Sequence, residues 1–183
     1  MLYLDSDGLF AHWRSYVLSK YFPHLCAQEF NQLPELRRRS LMREMYRREP
    51  NLFYNLPPNL EMVAVVEEAE RLCIPWCILT SGAEDHFDHA LVVESKQLWF
   101  DKHFGIPASK VTVTESSAQK KNFAGRGRLL VDDYGRNCRE WALGGGTAFW
   151  TRSEKPNPQV LVRHIGRFAD APYEDSGCIL QIQ

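Results

Sequence analysis

The sequence predicts an α/β protein: a Rossmann-like parallel sheet flanked by helices, with a small helical cap inserted after the first strand. Three observations predict it. Short apolar runs alternate with longer stretches of helical composition, the pattern of a parallel sheet covered on both faces. Carboxylates follow two of these runs directly, Asp5 and Asp7 after Met1-Leu2-Tyr3-Leu4, and Asp132-Asp133 after Leu129-Leu130-Val131. Active sites of open α/β sheets lie at such carboxyl ends. Finally, residues 14 to 50 break the alternation, with aromatic, Leu and Arg residues at helical spacing and Pro23 and Pro34 as punctuation.

The elements follow in order. Leu2 to Leu4 is a first strand, entering the turn Asp5-Ser6-Asp7-Gly8. The insert then supplies two or three helices and ends near Pro50, and Pro57-Pro58 marks a turn. Met62 to Leu72, free of Gly and Pro, reads as a helix. Trp76 to Leu79 is a second strand, ending at Thr80-Ser81-Gly82. Ala83 to Phe104 has helical content, Val111 to Val113 is a short third strand, and Arg128 to Val131 a fourth. Thr147 to Trp150 is a fifth, entered from Gly144-Gly145-Gly146, which reads as a helix stop and turn. The tail, Thr151 to Gln183, is weakly patterned. Pro156, Pro158 and Pro172 argue for irregular structure, with Val160-Leu161-Val162 and Ile179-Leu180 as short strands or packing anchors. The expected division is a core of 1–13 and 57–150, a cap of 14–56 and a C-terminal extension, 151–183, packed on the core.

The chain has 183 residues, 44% of them hydrophobic, enough for one full core. Lys plus Arg total 22 against 23 Asp plus Glu, so nothing points to an extended nucleic-acid or membrane surface. One basic run, Arg37-Arg38-Arg39 with Arg43, Arg47 and Arg48, is either a solvated helix face or an anion-attracting surface near the site. The five cysteines fit no zinc spacing and read as buried free thiols in a reducing cytosol, with Cys73 and Cys77 facing the core. With no signal peptide or membrane-length apolar run in evidence, the expected location is cytoplasmic.

Paired carboxylates at two strand ends suit a hard cation such as Mg²⁺, which takes oxygen ligands. They also suit a phosphoryl group, whose charge must be neutralised before a nucleophile can approach. Capping is the ordinary explanation for acidic residues at strand ends. It does not account for four of them together with Thr80 and a lysine in order. Asp85-His86-Phe87-Asp88-His89 has a metal-like spacing, but nothing elsewhere completes a ligand set. It reads as structural, with His86 a looser candidate for the rim of the site.

Asp5-Ser6-Asp7-Gly8, Leu79-Thr80-Ser81-Gly82, the Lys120-Lys121 pair and Asp132-Asp133, in this order, resemble the four motifs of the haloacid-dehalogenase-like (HAD) superfamily in its phosphatase branch. Pro50 to Pro58, Lys96 to Gly105, and Asn137 with Trp141 and Gly144-Gly145 extend the likeness to its 5'(3')-deoxyribonucleotidase group. The resemblance spans about residues 1 to 150. It implies a Mg²⁺-dependent hydrolase of nucleotide metabolism. Asp5 is then the nucleophile that forms an aspartyl-phosphate, and Asp7 protonates the leaving oxygen and later activates water. Dehalogenating members lack the second aspartate.

The same resemblance implies Mg²⁺ ligation by Asp5, the Asp7 carbonyl and Asp132, with Asp133 joining directly or through a bound water, and phosphate contacts from the Thr80 hydroxyl and the Ser81 and Gly82 N–H groups. Lys120 is the expected phosphate lysine, with Lys121 and Lys96 as alternatives. Trp13, eight residues after Asp5, falls where the group contacts the nucleobase; Phe10, Tyr46 and Phe53 are looser candidates. Residues 20 to 45 hold no counterpart of the aromatic segment that clasps the base in the better-known members. The expected partner is a small phosphorylated substrate, a (deoxy)nucleoside monophosphate first. The alternatives are another small phosphomonoester, a nucleic-acid 3'-phosphate end, or a binding role on a non-catalytic HAD scaffold.

Overall fold

The computed structural model describes residues 1–152, 156–170 and 177–181. Six strands form one sheet: β1 (Leu2–Leu4), β2 (Trp76–Ser81), β3 (Val111–Thr114), β4 (Leu129–Asp132), β5 (Thr147–Trp150) and β6 (Ile179–Gln181). Their order is β3-β2-β1-β4-β5-β6, and every neighbouring pair is parallel. The chain runs outward from β1 to β3, crosses back over β1 to β4, and runs outward again. This reversal opens a crevice at the carboxyl end of β1, where ligands bind in sheets of this topology.

Side chains alternate across the strands, and the two faces bury different sets. Leu2, Leu4, Ile78, Leu129, Val131 and Phe149 join the larger core. Tyr3, Leu79, Leu130 and Ala148 meet Cys138 and Trp141 on the other face. The register sets Leu4 level with both Ile78 and Val131. The residues just beyond these three strands therefore share one edge.

Seven α-helices are present among the described residues: α1 (Trp13–Tyr21), α2 (Ala27–Gln32), α3 (Glu35–Arg48), α4 (Val63–Arg71), α5 (His89–Phe104), α6 (Gly135–Leu143) and α7 (Pro158–Asp170). The first three are the insert. Its two connections are zipped together: the Asn59 N–H donates to the Phe10 carbonyl (2.6 Å) and the His12 N–H to the Pro57 carbonyl (3.0 Å). Within the insert, Tyr16 (3.2 Å), Lys20 (3.0 Å), Asn55 (2.8 Å) and Tyr21 all bond the carboxylate of Glu49. The insert also reaches the core, where Arg39 and Arg43 both pair with Asp85 (3.0 and 3.2 Å).

Four sequence expectations change. Residues 83–88 are loop, and α5 begins only at His89, where Asp88 accepts the Leu91 N–H (3.1 Å). The tail is more ordered than its prolines suggest. Pro158 occupies the first position of α7, where its missing N–H costs nothing. Leu161, Ile165 and Phe168 form that helix's buried stripe, so Val160-Leu161-Val162 is helical rather than a strand. Ile179-Leu180 does form a strand, and Pro172 lies outside the described residues. The thiols are all free, yet of the five only Cys138 is fully buried, while Cys26 and Cys73 are exposed. No helix among the described residues is long and apolar enough to cross a membrane.

Candidate active site

The loops beyond β1, β2 and β4 enclose a cavity of about 190 Å³ whose lining includes Asp5, Asp7, Trp13, Ser81, Asp133 and Asn137. The turn after β1 is tight: the N–H groups of Leu9, Phe10 and Ala11 all donate to the Ser6 carbonyl (3.2, 2.9 and 3.0 Å). Gly8 has φ +89° there, and a Cβ in its place would overlap the Asp133 carboxylate. Glycine is required at this position on both counts.

Asp5 is tied to β4 by its N–H, which donates to the Val131 carbonyl (3.0 Å). Its Oδ1 accepts the Ser6 N–H and pairs with Lys120 Nζ, both at 2.7 Å. Lys120 comes from a 3₁₀ turn, Ser117–Phe123, and is 1% exposed. The same ammonium lies 2.8 Å from Asp132 Oδ2. Asn137, in the first turn of α6, donates to that oxygen (2.9 Å), and the Tyr134 N–H donates to Asp132 Oδ1 (2.8 Å). Lys121, the neighbour of Lys120, is exposed.

Asp5, Asp132 and Asp133 each offer a carboxylate oxygen within 4.8 Å of the others. One buried ammonium cannot balance three such charges. Burial and the Asp5 charge push the Asp132 carboxyl up to about 6 despite Lys120. Burial and the charges of Asp132 and Asp5 hold Asp133 well above its ordinary value, although Arg14 stands 3.7 Å away. Burial works against the Lys120 charge, but Asp132 and Asp5 outweigh it and its pKa is raised. Three crowded carboxylates, all oxygen donors, fit a hard divalent cation such as Mg²⁺.

Asp7 faces a different partner. Lys96 of α5, with a side chain 2% exposed, places Nζ 2.7 Å from Asp7 Oδ2 and 2.8 Å from the Thr80 hydroxyl oxygen. Its ammonium also sits 4.5 Å from the centre of the Phe53 ring, a cation–π distance. Asp7 Oδ1 is buried and has no hydrogen-bond partner among the described residues. Lys96 shares its helix face with Val92, Ser95, Trp99 and Phe100, all buried. A lysine on an apolar face is the sequence signal for this contact.

The β2 motif divides its roles. Thr80 is fully buried and its hydroxyl is engaged by Lys96. Ser81 lines the cavity. The Gly82 N–H donates to the Thr114 carbonyl (2.5 Å), so it is not free to take the phosphate oxygen expected of it. A Cβ at Gly82 would meet the His89 ring at 2.7 Å, which explains the glycine by packing.

Trp13 lies at the cavity wall, together with two residues the sequence reading did not single out, Arg14 and Tyr134. The looser base-pocket candidates are core residues instead. Phe10 packs edge-on against Phe100 and Phe104. Tyr46 stacks on Phe53, and burial raises its pKa. His86 is also buried, bonding the Pro50 carbonyl (3.0 Å) and accepting the Asp88 N–H (2.9 Å). It joins the loop after β2 to the end of the insert.

No family model matches the chain, and no curated protein does. Among solved structures, the chain is similar to a hydrolase from Pseudomonas syringae, with a TM-score of 0.53 at 14% identity over 91% of this chain and 97% of that one. A protein described as a haloacid dehalogenase-like hydrolase from Burkholderia xenovorans LB400 aligns with a TM-score of 0.45 at 13% identity, over 98% and 90%. Of these two likenesses the first is close enough to establish a shared fold.

Proposed function

We propose that the chain is a Mg²⁺-dependent phosphomonoesterase of the HAD type that works through an aspartyl-phosphate on Asp5. The observation that carries this reading is the separate treatment of two carboxylates two residues apart. Asp5 sits with Asp132, Asp133 and Lys120, and Asp7 sits with Lys96. Ser6 and Lys120 occupy Asp5 Oδ1, which orients Oδ2 for attack on phosphorus. As that P–O bond forms, the ester P–O bond breaks and Asp7 gives its proton to the leaving oxygen. A water then attacks the phosphorus of the acyl phosphate while Asp7 takes the water's proton, which regenerates Asp5 and releases phosphate.

Asp5, Asp132 and Asp133 would hold Mg²⁺, which would supply charge neutralisation for the phosphoryl group. Lys120 holds Asp5 and Asp132 in place throughout. Lys96 engages Oδ2 of Asp7 and leaves Oδ1, which has no partner among the described residues, as the oxygen assigned to proton transfer. Trp13 and the small cavity favour a substrate with a planar body, so (deoxy)nucleoside monophosphates are the first choice.

The test is phosphate release from a panel of nucleoside monophosphates and sugar phosphates, with Mg²⁺ and with EDTA. Deoxynucleotides should be hydrolysed best, and EDTA should stop the reaction. Sugar phosphates turned over equally well would remove the nucleotide assignment. No release from any ester would remove the phosphatase.

A further inference from the structure

The catalytic cavity is not closed on its outer side. Trp13, Arg14 and Tyr134 line it and also line a second cavity, of about 310 Å³, that runs under the insert. This second space is walled by Phe30 and Met42 and carries Arg38 and Arg39 of α3. Resting on the phosphatase reading above, we propose that it is a second anion subsite, which takes a phosphate on the leaving-group side of the substrate. The favoured substrate is then a nucleoside bisphosphate rather than a monophosphate.

Charge and geometry carry the inference. Arg14, Arg38 and Arg39 face the space, and Asp85 is the one carboxylate in its lining among the described residues. That carboxylate is already shared, because Arg39 Nε and Arg43 Nε both reach its Oδ1 (3.0 and 3.2 Å). The Arg39 fork is thus fixed from behind. Its terminal nitrogens reach Glu35 (3.9 Å) and Glu84 (4.0 Å) at ion-pair distance, both well exposed and screened by water. Arg38 donates to the Asn31 carbonyl at 3.5 Å, the limit of a hydrogen bond. Two half-buried guanidinium groups with terminal N–H groups so weakly engaged match a phosphate, which they bind in a forked geometry.

The aromatic residues between the two cavities complete the match. Trp13 is half-buried and Tyr134 is 50% exposed, directly after the aspartate pair. A sugar at that junction, with its planar base against the aromatic residues and a phosphate reaching into each cavity, has the layout of a nucleotide phosphorylated at both ends of its sugar. The arginine run along α3 then has two parts. Arg38 and Arg39 serve the cavity, and Arg37, Arg47 and Arg48 are solvated.

Calorimetric binding to the Asp5→Asn protein in Mg²⁺ at low salt tests this without turnover. Thymidine 3',5'-bisphosphate should bind at least about tenfold more tightly than thymidine 5'-monophosphate, the gain expected of one charge-assisted contact. Arg38→Ala should bring the ratio toward one, and Arg38→Glu should bring it below one. A 5'-phosphorylated dithymidylate that matches the bisphosphate would place the second phosphate in a strand end and still uphold the subsite. Equal affinities, or a preference that survives Arg38→Glu, would overturn it. Phosphate release by the wild-type protein is read separately. If no ester is hydrolysed while the Arg38-dependent preference holds, the phosphatase reading falls and the subsite stands.

Discussion

Lys120 and Lys96 invite comparison. Both side chains are 2% exposed, and each holds a carboxylate at 2.7 Å. Lys120 answers two carboxylates, with a third beside them. Lys96 answers one carboxylate and a hydroxyl. The first cluster therefore carries excess negative charge, and the second is balanced. The comparison teaches that spacing alone does not distinguish Asp5 from Asp7. Lysines from two different elements do so, one from the turn between β3 and β4 and one from the helix between β2 and β3. The crowded half suits cation binding and nucleophilic attack, and the balanced half suits proton transfer.

The sharpest way to break this comparison is to remove the proposed nucleophile. Asp5→Asn is expected to lower phosphate release by more than about a thousandfold, on the scale of losing a covalent nucleophile. Circular dichroism should show the fold retained. Activity within tenfold of wild type would take the nucleophile role from Asp5. Lys120→Met comes next, because it leaves the carboxylates with no buried counter-charge. Losing one partner of a buried ion pair costs about 3–5 kcal/mol, so urea unfolding should show a loss on that scale at neutral pH. A loss below 1 kcal/mol would mean the cluster is already neutralised by another route.

Lys96→Met tests the balanced half and should have a milder effect. Thr80 and Asp7 each lose one bond, and Asp7 loses its fixed orientation. The expected result is a drop in kcat of about tenfold to a hundredfold, at or below the lower end of the range for removing an acid–base group outright, with KM nearly unchanged. Lys96→Arg should restore part of the loss. A change confined to KM would make Lys96 a substrate-binding residue instead.

The two halves were unequally legible in the sequence. The crowded half was readable because Asp5, Asp132 and Asp133 directly follow apolar strands, and parallel strands bring their carboxyl ends together. Lys120 was readable by its order in the chain, although its neighbour Lys121 offers the same chemistry and only burial separates them. The balanced half was harder to see. Lys96 lies in the middle of a 16-residue helix, and only the side chains around it reveal that it points inward. Gly82 looked like a phosphate donor by motif, but its N–H belongs to the edge with β3, a tertiary contact no local pattern encodes. The tail hides its helix because proline breaks a helix everywhere except the first turn, where Pro158 sits.

The smallest expected effect concerns Mg²⁺ and pH. The Asp132 carboxyl rises from 3.8 to about 6 in the folded chain, and Asp133 is raised as well. Between about pH 4 and 6 the folded state therefore holds more protons than the unfolded state, and without metal its stability falls as pH rises through that window. Mg²⁺ binds the deprotonated carboxylates, so its stabilising effect should grow over the same window. At about ten times its Kd a ligand adds about 1.4 kcal/mol, or about 3–5 °C in Tm for a chain of this size. Thermal melts should show that shift at pH 7.5, less than half of it at pH 5, and none in Asp132→Asn. An equal shift at both pH values would mean that Mg²⁺ stabilises the chain somewhere other than the three crowded carboxylates, and the contrast between the two lysine sites would lose its metal half.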